Sequence, residues 1–132
     1  MEIITIPLTG DLEHKGSIGN VGAINKGEIQ VMTAGSGVDH SAYNKNFDKP
    51  INLLQASVIN NHNVEPRYDQ KSVRKLKKEN AFYQVLSPSK DDDGMWIHQD
   101  AWFHLGDFEK SKQIEYEIKK EGNGVYIFVI EG

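Results

Sequence analysis

A chain of 132 residues is long enough for one ordinary domain, and two full domains would be a tight fit. Its formal net charge of −4 provides no overall attraction for nucleic acid or an anionic membrane, and the lack of cysteine excludes disulfides and thiolate metal sites. The first apolar run ends at Leu8, short of a signal peptide or a membrane span, so we expect a cytoplasmic protein.

The first 60 residues consist of short β-branched runs separated by Gly, Asn and Asp, which is typical of strands and turns rather than helices. Gly and Asn accept a positive φ at little cost, so these separators suit tight turns. The connections are only a few residues long, and neighbouring strands should therefore pair mostly antiparallel. We predict strands at residues 3–8, 11–14, 22–24, 29–33, 38–43 and 53–59.

The character of the chain changes between residues 60 and 80. NNHNVEPRYDQ is polar and contains a proline, and KSVRKLKKEN has the best helical composition in the chain. We predict a linker with one short helix at residues 71–78. Strand patterning then resumes, and we predict strands at 82–86, 95–98, 102–105, 113–119 and 125–130.

The last predicted strand lies in the apolar run VYIFVIEG, with no closing strand after it. An unpaired apolar strand is an exposed edge that favours association, and the first strand, beginning at Glu2, presents the same problem. We therefore expect a homodimer formed by strand completion or exchange between identical chains.

The most informative stretch runs from Gly27 to Asn44, GEIQVMTAGSGVDHSAYN. It resembles the second motif of the cupins, and specifically that of the pirin family, G-D-x-Q-x-M-T-A-G-x-G-x-x-H-S-E. TGDLEHKGSIGN, VEPRYDQ, LSPSKDDDGMWIHQDAWF and NGVYIFVIEG extend the resemblance over essentially the whole chain. It implies an all-β, cupin-like barrel or jelly-roll sandwich, an incomplete bicupin. Residues 1–60 would be the remainder of the N-terminal barrel, 61–80 a linker and 81–132 the first strands of a C-terminal cupin domain.

The same resemblance implies a site for a single iron. In pirins the ligands are a His-x-His pair, the histidine matching His40, and a glutamate two residues later. The chain begins after the position of the pair, and the glutamate position is Ala42. A single neutral imidazole cannot hold iron against water and cellular chelators, so we expect the metal site to be incomplete and the iron to be lost.

Two residues remain as metal candidates. His40 is the residual candidate, and Glu2, which matches a carboxylate of the general cupin motif, is a weaker one. The competing interpretation is that His40 lines the barrel and is satisfied by a hydrogen bond, and we favour it.

The other histidines are weaker metal candidates than His40, and His14 has no ligand-like spacing partner. His14 ends a hairpin strand and His62 lies in the polar linker. His98 and His104 are six residues apart, which places them on one face only if the strand between them is uninterrupted, and Asp100 favours a turn there. We assign packing roles to the neighbouring aromatic residues Trp96, Trp102 and Phe103.

A basic cluster is the one patch that could contact phosphate, and we interpret it as a solvated face because acidic residues follow it. The cluster comprises Arg74, Lys75, Lys77 and Lys78. No Gly-rich phosphate loop is present, and Asp39, His40 and Ser41 cannot form a relay because consecutive strand residues point to opposite faces.

Three functions remain open. We favour a pirin-like cupin protein that is non-catalytic or self-associating, with a small aromatic molecule as the candidate ligand. The resemblance also implies an iron-dependent quercetin 2,3-dioxygenase, or a protein-interaction module of the kind that serves as a transcription cofactor. We expect no nucleic-acid and no membrane partner.

Overall fold

The structure is a computed structural model that describes residues 1–10, 12–16, 21–34, 40–44, 50–61 and 63–132. No helix within these ranges is long and apolar enough to cross a membrane. Parts of the predictions lie outside the described residues, namely the strand ends at Asp11 and Val38, and His62.

The prediction of an all-β protein is confirmed, because the described residues form ten strands and one single-turn 3-10 helix. The strands are β1 (Glu2–Thr9), β2 (Leu12–Gly16), β3 (Val21–Ile24), β4 (Glu28–Thr33), β5 (His40–Asn44), β6 (Asn52–Val58), β7 (Arg67–Ser72), β8 (Phe82–Ser87), β9 (Met95–Trp96) and β10 (Phe103–Gly106).

The largest sheet has four strands in the order β6-β1-β4-β7, all antiparallel. Successive residues of a strand point to opposite faces, so each strand contributes to both sides of this sheet. One face carries Ile4, Ile29 and Val31, all at most 1% exposed. The opposite face carries Thr5 and Gln30, which are also buried.

Two smaller sheets complete the architecture. The first has the antiparallel order β3-β2-β5, and the second has the order β10-β8-β9, in which β8 and β9 are parallel. Gly94, with φ of +90°, precedes β9, and a Cβ there would lie 2.4 Å from the carbonyl oxygen of Val85. Only glycine fits this close approach of β9 to β8.

A continuous apolar core joins the first half of the chain to the second. Its members from the four-stranded sheet pack against residues on and around β8 and β9. Burial of several aliphatic side chains, each contributing about 1.5–3 kcal/mol, makes this contact a major source of stability. The buried members are Ile4, Ile29, Val31, Val73, Val85, Leu86, Met95 and Ile97.

The predicted helix at residues 71–78 is wrong. The structure has strand β7 (Arg67–Ser72) followed by the single 3-10 turn Arg74–Leu76. β7 is polar because it is an edge strand of the four-stranded sheet, where it pairs with β4. The backbone N–H of Val73 donates to the carbonyl of Gly27 at 2.9 Å, which holds the chain against the sheet and prevents helical growth from Ser72.

The predicted strands at 113–119 and 125–130 are also wrong, since no strand follows β10 in the described residues. Alternating polarity predicts a strand only where a neighbour accepts its backbone hydrogen bonds. The structure provides no paired neighbour here, and the side chains of Tyr126, Ile127 and Val129 are 87%, 73% and 71% exposed.

Candidate functional site

The structure places the backbone of His40 at the start of β5, opposite Gly16 of β2. Ala42, at the position that the resemblance gives to a carboxylate ligand, pairs with His14. The side chains of both histidines lie outside what the structure describes. Within the described residues, no group of three or more His, Cys, Asp or Glu side chains could hold a metal ion.

Glu2 is fully buried, and both of its carboxylate oxygens accept hydrogen bonds. The hydroxyl of Thr33 donates to Oε2 at 2.6 Å, and the backbone N–H of His98 donates to Oε1 at 2.9 Å. Thr33 is the register partner of Glu2 across β1 and β4, whereas His98 follows β9. The carboxylate therefore connects the four-stranded sheet to the second half of the chain.

Arg67 on β7 belongs to the same cluster. Its guanidinium lies 3.7 Å from the centroid of the Trp96 ring and donates through Nη2 to the Trp96 carbonyl oxygen. Burial lowers the pKa of Arg67, and the negative charges of Glu2 and Asp69 oppose that shift. Arg67 could not be singled out from the sequence, because its contact with Trp96 depends on strand β7, which the sequence pattern does not predict.

A row of polar side chains crosses the other face of the four-stranded sheet. Thr5 of β1 is in register with Gln55 of β6 on one side and Gln30 of β4 on the other, and Gln30 is in register with Gln70 of β7. We call Gln55, Thr5, Gln30 and Gln70 the polar row. Its two central members, Thr5 and Gln30, are 1% and 4% exposed. The row could not be identified from the sequence, although Gln30 belongs to the pirin-like motif between Gly27 and Asn44.

Hydrogen bonds to neighbouring residues hold the two outer members of the polar row, Gln55 and Gln70. The Gln55 amide donates to the Thr5 hydroxyl at 3.4 Å. The Gln70 amide donates to the Ala23 carbonyl at 2.9 Å and to Glu28 at 3.2 Å, and Gln70 accepts from the Tyr68 hydroxyl at 2.5 Å. Burial is the main reason that the pKa of Tyr68 is raised.

Gln30 lies at the centre of the row and is 4% exposed. Its side chain interacts with Tyr68 of β7: burial raises the pKa of Tyr68, and a hydrogen bond from Gln30 opposes this larger effect.

The remaining histidines take local roles. The rings of His98 and Trp96 are nearly perpendicular, with their centroids 4.8 Å apart. The ring of His104 meets Tyr116, whose hydroxyl lies 3.4 Å from Nδ1. Burial lowers the pKa of His104, and the positive charge of Lys119 adds to the shift.

The basic cluster is divided among separate contacts. Arg74 donates to the carbonyl of Lys26, and the ammonium of Lys77 lies 3.8 Å from Glu79 and 3.9 Å from Asp107. All four residues of the cluster are exposed, and Arg74 and Lys77 are the two that make these contacts.

Comparison with known families gives two matches. The family described as Pirin matches residues 1–58, and the family described as Quercetinase C-terminal cupin domain matches residues 84–132. Quercetin 2,3-dioxygenase of Escherichia coli strain K12 is 35% identical over 133 residues, which cover 100% of this chain and 56% of that protein. A putative quercetin 2,3-dioxygenase of Zymomonas mobilis is 32% identical, with the same coverage. The chain thus spans about half the length of these curated relatives.

Comparison with solved structures also finds proteins that are similar to this chain. The crystal structure of the bacterial pirin YhhW from Escherichia coli, in complex with nickel(II), superposes with a TM-score of 0.70 at 35% identity. The match covers 79% of this chain and 44% of that one. YhaK from Escherichia coli, 23% identical with a TM-score of 0.63, supports the fold alone.

Proposed function

Because this chain belongs to the pirin family, we propose that it is a cupin-type module that binds a small aromatic ligand without holding a catalytic iron of its own. Two features support the two parts of the proposal. The polar row supplies buried hydrogen-bonding groups for a ligand, and Ala42 occupies the position of a carboxylate ligand.

Ala42 is the observation that carries the proposal. A methyl group has no lone pair for a metal, and a mononuclear iron site of this type needs about two histidines and a carboxylate. Glu2 does not replace the missing carboxylate, because its two oxygens already accept from Thr33 and His98. The donor set of His40 without a neighbouring carboxylate does not fit iron, and we derive no reaction step through a metal.

The test is binding of quercetin without its consumption. We expect quercetin to quench the tryptophan fluorescence of the purified protein saturably, and elemental analysis to find iron well below one atom per chain. With Fe(II) added, quercetin absorbance should fall no faster than it does with a His40→Ala control. Iron at one atom per chain, or loss of quercetin above that control, would contradict the proposal.

The second candidate function is dioxygenase activity. The names of the relatives favour it, since quercetin 2,3-dioxygenases match across the whole of this chain. The same assay separates the two candidates, because a dioxygenase consumes quercetin and a binding module only retains it.

We also propose that two copies of the chain associate through residues 125–130. These six consecutive residues carry no charge and all have apolar or aromatic side chains, each at least 49% exposed. An exposed apolar segment can pair with the same segment of a second copy, which then supplies the backbone partner that it lacks in the described residues.

Light scattering tests this association. We expect twice the monomer mass of 14.9 kDa for the native protein, and the monomer mass for Ile127→Lys, because a lysine at this 73% exposed position places a charge in the interface. Gln113→Lys adds the same charge at an exposed position outside the segment and should remain dimeric. A native protein that stays monomeric at high concentration would exclude this interface.

A further inference from the structure

A cleft lies between strands β8 and β10 and the segment 114–119 that follows them. Its volume of about 340 Å³ is near the lower end of the range for small-molecule sites, about 300–1,000 Å³, and suits a molecule of one or two rings. Phe82, His104, Ile114 and Tyr116 are among the residues that line it. All of the lining residues belong to the second half of the chain, so the cleft is separate from the polar row.

Three rings in the cleft are arranged edge to face. Phe82 of β8 is in register with Gly106 of β10, and His104 lies two residues before Gly106, so Phe82 and His104 share one face of this sheet. The Tyr116 ring meets both of them nearly at right angles, with its centroid 5.8 Å from that of Phe82 and 5.0 Å from that of His104. Aromatic rings favour such contacts, and the flat ring of a ligand can add to them by the same attraction.

Two of these rings also carry hydrogen-bonding groups. The Tyr116 hydroxyl lies 3.4 Å from Nδ1 of His104, which is longer than the distance of about 2.7–3.2 Å in a typical hydrogen bond. Burial lowers the pKa of His104, and the positive charge of Lys119 adds to the shift, so the imidazole is neutral at pH 7. A neutral imidazole and a phenol each offer a donor and an acceptor, so a ligand hydroxyl can exchange hydrogen bonds with both.

The charges of the cleft select against an anionic ligand. The described residues that line it carry two carboxylates, on Glu115 and Glu117, and one ammonium, on Lys119. The ammonium lies 5.6 Å from the centroid of the Tyr116 ring. The excess of negative charge repels a carboxylate or a phosphate, and a neutral compound therefore suits the cleft best.

We propose that this cleft is a second binding site, for a neutral aromatic compound of one or two rings that carries a hydroxyl group. The ring of the compound packs against Phe82 and Tyr116, and its hydroxyl exchanges hydrogen bonds with His104 and with the Tyr116 hydroxyl. The inference does not depend on the function proposed above, because no residue of the polar row lines the cleft.

The experiment uses three probes that share an indole ring and differ in one substituent. The hydroxyl is present in 5-hydroxyindole, is replaced by a methyl group of similar size in 5-methylindole, and is replaced by an anion in indole-5-carboxylate. Dissociation constants come from titrations followed by two-dimensional NMR of the backbone amides, which also locates each probe on the protein.

The variants remove one hydrogen-bonding side chain at a time. His104→Phe keeps an aromatic ring without the nitrogens, and Tyr116→Phe removes only the hydroxyl. His98→Phe is the matched control, since the His98 ring is also nearly perpendicular to an aromatic ring, that of Trp96, but does not line the cleft.

We expect the native protein and His98→Phe to bind 5-hydroxyindole about fivefold or more tightly than 5-methylindole, because a neutral hydrogen bond contributes about this factor. Indole-5-carboxylate should bind more weakly than either neutral probe. In His104→Phe and Tyr116→Phe, the two neutral probes should bind with nearly equal affinity. The amide shifts should be centred on residues 80–82, 104 and 114–119, which include the lining of the cleft.

The ratio of the two neutral affinities separates hydrogen bonding from a structural effect. A substitution that only distorts the cleft weakens both neutral probes alike, so an unchanged ratio in both cleft variants overturns the inference. It is also overturned if the native protein binds none of the probes, or if the amide shifts are centred outside the cleft. Tyr116→Phe keeps the test decisive if His104→Phe does not fold, because it removes one oxygen atom from a partly exposed residue.

Discussion

Replacing Ala42 with glutamate is expected to raise the affinity of the protein for Ni(II) at least tenfold. The substitution places a carboxylate two residues after His40, where the pirin pattern has one. Losing only a hydrogen-bond partner of a metal ligand typically costs about 10–100-fold in affinity, so gaining a ligand itself should have an effect at least as large. Isothermal titration with Ni(II), the metal bound by the related YhhW structure, provides the measurement.

Two controls separate coordination from simple charge attraction. Ala42→Gln has the size of glutamate without its charge, and it should bind Ni(II) no better than the native protein does. The double variant His40→Ala, Ala42→Glu keeps the carboxylate and removes the imidazole, and it should lose most of the gain. A native protein that binds Ni(II) as tightly as Ala42→Glu would show that position 42 does not limit the site.

The strands could be predicted where their pattern is local. β1 and β4 are buried over most of their length, and their apolar, β-branched runs stand out in the sequence. β7 could not be predicted in this way, because Arg67–Ser72 contains no aliphatic residue and owes its conformation to pairing with β4. The segments at 113–119 and 125–130 are the converse case, since their strand patterns lack a partner.

The residues of the candidate site also differ in whether the sequence alone could identify them. Position 42 could be singled out from the sequence, because the motif around His40 specifies which residue type belongs there. The polar row could not, because Gln55 and Thr5 are 50 residues apart and only the register of β1 and β6 brings them together. Register is set by the whole sheet, so a row across four strands leaves no local signal.

The hydrogen-bonding cluster around Glu2 links the four-stranded sheet to the second half of the chain. It joins β1 and β4 through Thr33, β7 through Arg67, and the segment after β9 through His98. The apolar core provides most of the buried surface between these parts of the chain, but hydrophobic contacts have little directionality. The hydrogen bonds of the carboxylate supply that directionality, and we infer that they fix how the second half of the chain sits on the four-stranded sheet.

The substitution Glu2→Met is therefore expected to lower the free energy of unfolding by about 3 kcal/mol, because it leaves buried hydrogen-bonding groups and a partly buried charge without their partner. The Thr33 hydroxyl and the His98 N–H lose their acceptor, and Arg67 loses one of its two nearby carboxylates. Methionine nearly keeps the volume of glutamate, so a cavity contributes little. Urea unfolding followed by tryptophan fluorescence measures the change.

The second carboxylate beside Arg67 provides the matched comparison. Asp69 lies 3.9 Å from the guanidinium with a side chain that is 41% exposed, and Asp69→Asn should cost at most about 1 kcal/mol, as surface ion pairs do. The double variant Glu2→Met, Arg67→Met should be more stable than the sum of the two single changes predicts, because removing both members of a partly buried pair leaves no uncompensated charge. If Glu2→Met costs no more than Asp69→Asn, the carboxylate does not anchor the second half of the chain, and the apolar core alone orients it.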